Sequence, residues 1–394
     1  MRPIPALAQA SILALLLSSC AEPADESPVA APGEPLPGLS EGELAGFQRG
    51  RQWFDHNWTP EEGFGPLYIQ NRCSSCHDLP AFGGMGVESL YLMARWDSAT
   101  GCDPLTAEGG TVRQTAATPL AQAAGMFHEG VPDSANVRVT EVAPLLFGLG
   151  LIEAIPESEI ESRADPDDAD GDGISGRVLR TSDGRLGRLL RKSDVATIHD
   201  LVEAALISEL GLTSARYPAE EKLNGQALPA ETDPAPDPEV PEETIQALTD
   251  FVRFLAPPAA EVPASPAVRD SLAEGSRLFG QLGCASCHVP TLETGSGPVP
   301  ALSRKPIHLY SDLLLHDLGS EVRSVCSGDV SPTEVRTPRL MGLRYREPYF
   351  ISSMNPSTEQ RILAHGGEAS RARQAFEQLN TEGRSLLLRF LRSL

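Results

Sequence analysis

The segments Cys73-Ser-Ser-Cys76-His77 and Cys284-Ala-Ser-Cys287-His288 each place two thiols two residues apart, with an imidazole directly after the second. This is the spacing of covalent haem attachment. Two thiols add across the two vinyl groups of a haem, and the adjacent His falls under the porphyrin and donates its imidazole to iron. A bare C-x-x-C also serves as a redox dithiol or as half of a zinc site. A His directly after the second Cys, twice in one chain, points instead to haem. Cys73, Cys76, Cys284 and Cys287 are therefore read as thioether anchors, and His77 and His288 as the proximal iron ligands of two covalently bound c-type haems.

The start of the chain fits the compartment that this chemistry requires. Arg2 precedes an apolar stretch, Ile12 to Leu17, which ends in Leu17-Ser-Ser-Cys20. A short apolar region closed by small residues reads as a secretion signal over 1–19. The four residues also resemble a bacterial lipobox, so cleavage before Cys20 and lipidation of its thiol would anchor the chain by acyl groups. A secreted chain with an incidental Cys20 is the alternative. Residues 20–40, rich in Glu, Pro, Ala and Ser, read as a disordered tether. No later run of about 18 apolar residues offers a membrane span, so the expected place is the periplasmic face of the cell envelope. The formal charge of −22 argues against nucleic acid. It suits a basic electron-donor protein, or a small redox carrier that does not dock by charge. Of the 7 cysteines, Cys102 and Cys326 are left over as either a disulfide or free thiols.

The elements that must position the two motifs are also repeated. Gly50-x-x-x-Phe54 lies before the first motif and Gly275-x-x-x-Phe279 before the second. A helical pattern from Ile245 to Leu255 follows the first and another from Arg384 to Leu394 follows the second, with Arg253-Phe-Leu echoed by Arg389-Phe-Leu. An opening helix, a C-x-x-C-H and a closing helix that crosses the first is the class I cytochrome c plan. The expected fold is mainly α: two cytochrome c-like domains with long loop insertions, at 41–257 and 266–394, joined by a Pro-rich linker. A further helix is expected over Asp194 to Leu212, and a surface loop from Tyr217 to Glu242.

Further strings make the chain recognisable. Gly63-Phe-Gly-Pro66, Gly148-Leu-Gly-Leu-Ile-Glu-Ala-Ile-Pro156, Asp165-Pro-Asp-Asp-Ala-Asp-Gly-Asp-Gly-Ile-Ser-Gly-Arg177, Asp312-Leu-Leu-Leu-His-Asp-Leu-Gly319 and His365-Gly-Gly-Glu-Ala369 occur in that order. Together they resemble the di-haem oxidoreductase family, also labelled thiol oxidoreductases and distantly similar to bacterial di-haem cytochrome c peroxidases. The resemblance covers about residues 45–394. It implies electron transfer from the C-terminal haem to the N-terminal one and peroxidase-like reduction of a substrate there; a non-enzymatic electron carrier with both irons six-coordinate is the alternative.

The same resemblance nominates distal ligands. His365 matches the position of a distal ligand to the second haem, with Met354 as rival and His316, oriented by Asp317, as third choice. His128, upstream of Ala143-Pro144, matches a labile ligand to the first haem, with Met85 and Met126 as thioether competitors. Glu153 matches an acid/base over that haem. Two departures stand out: Pro348-Tyr-Phe350 is followed by Ile-Ser-Ser instead of His-Asp-Gly, and Leu189-Leu-Arg191 replaces the usual Phe-Gly-Trp. Separately, Asp168, Asp170 and Asp172 with Gly173 form the D-x-D-x-D-G start of a calcium loop, but Leu179 stands where an EF-hand carries Glu. Calcium or a solvated acidic turn both fit.

Expressed with cytochrome c maturation machinery, the chain is expected to keep its colour through denaturing gel electrophoresis, because thioethers are covalent. Cys76→Ala or Cys287→Ala is expected to reduce or abolish covalent retention of the corresponding haem, and the mass of each variant checks it.

Overall fold

The computed structural model describes residues 30–346 and 356–394. Cys20, Met354 and the segment after Pro348 lie outside them, and no described helix is long and apolar enough to cross a membrane. The helices that shape the site are α1 (Glu41–Phe54), α2 (Leu149–Glu153), α3 (Ile198–Ala205), α4 (Glu242–Phe254), α5 (Pro266–Gln281), α6 (Thr358–Leu363) and α7 (Thr381–Leu391). The strands are β1 (Ser89–Asp97), β2 (Gly101–Asp103), β3 (Val137–Val142), β4 (Leu315–Asp317) and β5 (Glu334–Arg336).

Local chemistry starts the four long helices. Ser40 and Glu43 form a reciprocal capping box at α1, Ser265 accepts the Val268 amide at α5 with Pro266 in the first turn, and Asn380 accepts the Gly383 amide at α7. Pro241 precedes α4, whose apolar stripe of Ile245, Leu248, Phe251 and Val252 is buried.

Close approach at glycine then sets two equivalent crossings. A Cβ on Gly50 would lie 1.8 Å from the Ala247 carbonyl oxygen and 2.7 Å from the Phe251 Cβ. A Cβ on Gly275 would lie 2.3 Å from the Leu386 carbonyl oxygen and 2.5 Å from the Phe390 Cβ. In each crossing the Phe one turn after the glycine meets the closing helix: Phe54–Phe251 ring centroids are 4.7 Å apart and Phe279–Phe390 5.6 Å. The structural counterpart of Phe390 is thus Phe251. The echo of Arg253-Phe-Leu in Arg389-Phe-Leu is displaced by three residues, because the contact at glycine sets the register of the crossing and α4 carries Phe at both 251 and 254.

The fold is not strictly mainly α: 33% of it is helix and 13% strand. An antiparallel sheet of order β2-β1-β3 fills the long stretch after the first motif, with Leu90 opposite Glu141 and Leu92 opposite Val139. The alternation in Ser89-Leu-Tyr-Leu-Met-Ala-Arg-Trp is a strand signal that helical expectations obscured. A second, two-stranded sheet pairs β4 with β5. Cys102 of β2 is disulfide-bonded to Cys326, fastening the 321–328 loop to the first sheet.

Residues 30–40 correct the expectation of a tether through residue 40. The Leu36 amide donates to the Phe254 carbonyl, the Ala256 amide donates to the Glu34 carbonyl, and Leu36 is buried. A Pro-rich composition hid a short extended segment with an apolar residue to bury. The helix expected at 194–212 begins later, at Ile198 after the Thr197 cap. It ends in a π turn, Leu206–Leu210, that places Glu209. The main core runs from Phe47 through Phe251 to Leu292, Ile307, Leu309 and Met341, joining the two halves; a smaller one holds Phe279, Phe376, Leu387 and Phe390.

Gly50→Ala and Gly275→Ala are each expected to destabilise by roughly 1–3 kcal/mol or more through overpacking. Gly280→Ala, on the same α5 but with nothing within 4 Å of its would-be Cβ, is expected to be neutral or slightly stabilising. Thermal denaturation of the three variants makes the comparison.

Candidate functional site

Both motifs open onto one cavity of about 1330 Å³, lined by Cys73, Cys76, His77, Cys284, Cys287 and His288. It exceeds the roughly 300–1,000 Å³ that a single small ligand occupies. Each motif begins with one tight turn, Cys73–Ser75 and Cys284–Ser286, and the His amide donates back to the first Cys carbonyl at 3.2 and 3.0 Å. Leu90, Leu92 and Val139 of the first sheet form part of the wall.

The ring nitrogens sort the histidines. His77 Nδ1 lies 2.9 Å from the Gly84 carbonyl, His288 Nδ1 3.0 Å from that of Tyr310, and His365 Nδ1 2.7 Å from that of Arg361. A carbonyl only accepts, so Nδ1 carries the hydrogen and Nε2 keeps a bare lone pair. Burial lowers the pKa of all three, His288 to about 4, which keeps them neutral and able to bind a metal. Phe54 packs 6.2 Å from His77 and Phe279 6.4 Å from His288, so the repeat extends to the imidazoles.

His365 faces His288 across the cavity, with ring centroids 6.5 Å apart. Two metal–imidazole bonds of about 2 Å each, plus half a ring on either side, would fit that gap. His316, though it lines the same cavity, has no nitrogen to give. Its Nε2 is 2.9 Å from Asp312 and its Nδ1 2.8 Å from Glu368. Burial works to lower its pKa, but hydrogen bonding to Asp312, Cys287 and Glu368 holds it up at about 12. Asp317 does not orient it: its carboxylate accepts the Gly319 amide instead. His128 is exposed and outside the cavity, its Nδ1 against the Glu129 carbonyl. The fold does not bring it to His77, because the segment before Ala143-Pro144 runs into β3. Met126 is buried in a separate cluster with Leu67 and Ala121. Met85 lines the cavity, but directly after Gly84, whose carbonyl holds the His77 ring.

The thiols and cations fit a haem as well. Burial, aided by the Glu209 charge, pushes Cys73 and Cys76 up to about 12, and burial pushes Cys284 to about 11. Thiols so held are poor thiolates, hence poor redox nucleophiles or zinc ligands at neutral pH. Burial also pushes Arg336 down to about 10 and Arg339 to about 9. Arg339 donates to the Phe147 carbonyl at 2.6 Å and to that of Leu145, and Arg188 Nε is buried without a partner. All three line the cavity. Cations so placed, one buried and two half-buried, and held mainly by carbonyls, call for an anion, which haem propionates would supply.

Glu209 lines the cavity, as do Glu141, Asp172, Asp194, Glu321 and Glu368, whereas Glu153 does not. Glu153 accepts the Ile198 amide at 2.8 Å, capping α3, and pairs with Arg253 at 2.7 Å, outside the cavity wall. Glu209 sits on the π turn, its carbonyl bonded by the Ile69 amide at 2.7 Å, which draws it toward the first motif. Burial raises it to about 7. A Glu in an apolar helical stretch of the sequence gave no sign of this; only the π turn brings it inward. At the acidic loop, Asp165, Asp168 and Asp170 gather while Asp172 stays outside the group. Their carboxylates accept the loop's own amides at Ala169, Gly173 and Asp172. The three carboxylates also lie close enough to one another to hold a cation.

The model of the family described as "Di-haem oxidoreductase, putative peroxidase" matches residues 133–394. The match takes in the second motif and begins after the first. Among solved structures, the chain is similar to hydrazine synthase of Kuenenia stuttgartiensis, at 12% identity and a TM-score of 0.41, over 100% of this chain and 99% of that one. No curated protein matches.

His365→Ala is expected to remove the imidazole facing His288 and convert a low-spin signal of the haem-loaded protein to high-spin. Electron paramagnetic resonance reads the change; an unaltered low-spin signal would rule out His365 as the ligand.

Proposed function

The chain belongs to the di-haem oxidoreductase family, and on that premise we propose that it is an electron-transfer enzyme of the bacterial cell envelope. In this reading the second centre takes up electrons and passes them to the first, where a peroxide-type substrate is reduced. Membership implies two haems. The proposal adds that Cys73, Cys76, Cys284 and Cys287 bind them as thioethers, with His77 and His288 on the iron.

One observation carries the assignment of roles: the two centres are unequal. His288 has a facing imidazole in His365, which suits an electron carrier with a saturated iron. The histidines of the cavity wall, among the described residues, are His77, His288, His316 and His365. None of these is left to face His77, which suits an iron with an open position. The carboxyl that burial raises to about 7, Glu209, lies beside the Cys73–Cys76 pair.

When bound, the haems supply single-electron steps and a site for the oxygen substrate. The protein supplies the rest. His77 and His288 stay neutral and oriented through their carbonyl bonds, and Arg188, Arg336 and Arg339 balance propionate charge. Reducing a peroxide to two waters consumes two electrons and two protons. Below about pH 7 Glu209 holds a proton to donate; above it the carboxylate can accept one from the incoming peroxide. Export, lipid anchoring at Cys20 and a basic donor partner belong to the same proposal and are supported by the leader-like start and by the charge of −22.

Glu209→Gln is expected to lower peroxide turnover by roughly 10²–10⁴-fold and to erase an ionisation near pH 7 from the rate profile. Glu153→Gln is expected to leave that ionisation in place. Stopped-flow oxidation of the reduced protein across pH 5–9 is the measurement. Two low-spin haems, both inert to peroxide and carbon monoxide, would make the chain an electron carrier instead.

A further inference from the structure

We propose that His316 is a positioning residue of the second centre, a buried cation that locks the His365 turn in place and favours reduction of the adjacent haem. The inference rests on the reading of His288 and His365 as that haem's ligands. Its basis is bond geometry. Carboxylates at neutral pH only accept, and one faces each ring nitrogen of His316: Asp312 Oδ2 at 2.9 Å and Glu368 Oε2 at 2.8 Å. Both nitrogens must therefore donate, which makes the ring an imidazolium. It is 3% exposed, and Nδ1 lies 3.9 Å from the Sγ of Cys287, the residue before His288.

Through Glu368 the same cation reaches the opposite ligand. Glu368 follows His365 by three residues, across Gly366-Gly367. Its carboxylate also takes the Asp317 amide at 3.0 Å, and both the amide and the hydroxyl of Ser175 at 3.0 Å. The Gly366 amide donates to the Leu318 carbonyl at 3.1 Å. Gly367 has φ +48°, and a Cβ there would lie 2.1 Å from the Asp317 carbonyl oxygen. The turn after His365 is thus clamped onto β4, the strand that carries His316. On the other side Gly176 closes so tightly that its would-be Cβ lies 2.9 Å from the His316 ring. One buried ring ties together the residue beside one ligand, the turn beside the other, and the acidic loop of the first half.

The charges predict opposite effects. Reduction adds an electron to the haem, so a fixed cation nearby favours it and a fixed anion opposes it. Spectroelectrochemical titration of the full haem-loaded protein is the test, with spin state followed in parallel. His316→Gln removes the cation and is expected to shift the second haem to lower potential. Glu368→Gln keeps the shape, removes an anion and is expected to shift it higher. A purely structural role would move both variants the same way, and that result, or no shift in either, overturns the proposal. If His316→Gln does not accumulate, Glu368→Gln is read together with its spin state: a raised potential with the low-spin signal intact supports the proposal, and an unchanged or lowered potential, or a lost low-spin signal, overturns it. Retention of the low-spin signal in His365→Ala with its loss in His316→Gln makes His316 the ligand and also overturns it. Wild-type protein that carries no covalent haem overturns the underlying reading itself, and this inference with it.

Discussion

An imidazole has two nitrogens, and it can offer a metal only one that nothing else holds. Everything at this site depends on how that constraint is met. His77, His288 and His365 each give Nδ1 to a backbone carbonyl, fixing the ring plane and leaving Nε2 bare. His316 gives both nitrogens to carboxylates and so becomes a fixed charge. Of the four histidines on one cavity, three keep a free nitrogen and one keeps none, and their hydrogen-bond partners make the difference.

Two of those rings are also backed by packing, and the helix crossings supply it. Because Gly50 and Gly275 carry no side chain, the closing helices approach near enough for Phe251 and Phe390 to pack, tilted or edge-on, against Phe54 and Phe279. The same Phe54 and Phe279 back the imidazoles of His77 and His288. Helix packing and ring orientation are therefore one problem, solved twice with the same parts. The halves diverge on the opposite side of the cavity, where one imidazole is faced by another and its counterpart is accompanied by a buried carboxyl.

What could be read from the sequence was what is local in it. The haem motifs, the glycine–phenylalanine pairs and the closing helices are contiguous patterns whose spacing carries the geometry. The choice of His365 ahead of His316 came through a resemblance, and only the partners of their nitrogens give it a physical reason. Glu209 was illegible because its environment is made by a π turn and by Ile69, far away in sequence. Glu153 looked equally suitable until Arg253 and the start of α3 claimed both its oxygens. The sheet of β1 to β3 was missed because a strong helical frame suggested loops between its helices. Leu36, amid prolines, was hidden by composition for the same kind of reason.

The bridge between Cys102 and Cys326 turns the middle of the chain into a closed ring, with 224 residues of sequence between its ends. By loop-closure entropy such a ring is worth about 5 kcal/mol. Its topology matters as much. The second haem motif lies inside the ring, whereas the first motif and His365 lie on the two tails that leave it. A protease that cuts the Pro-rich connection between α4 and α5 would open the ring without releasing either half. Both C-x-x-C-H segments would remain in one covalent molecule, and their spacing would not depend on that exposed connection surviving.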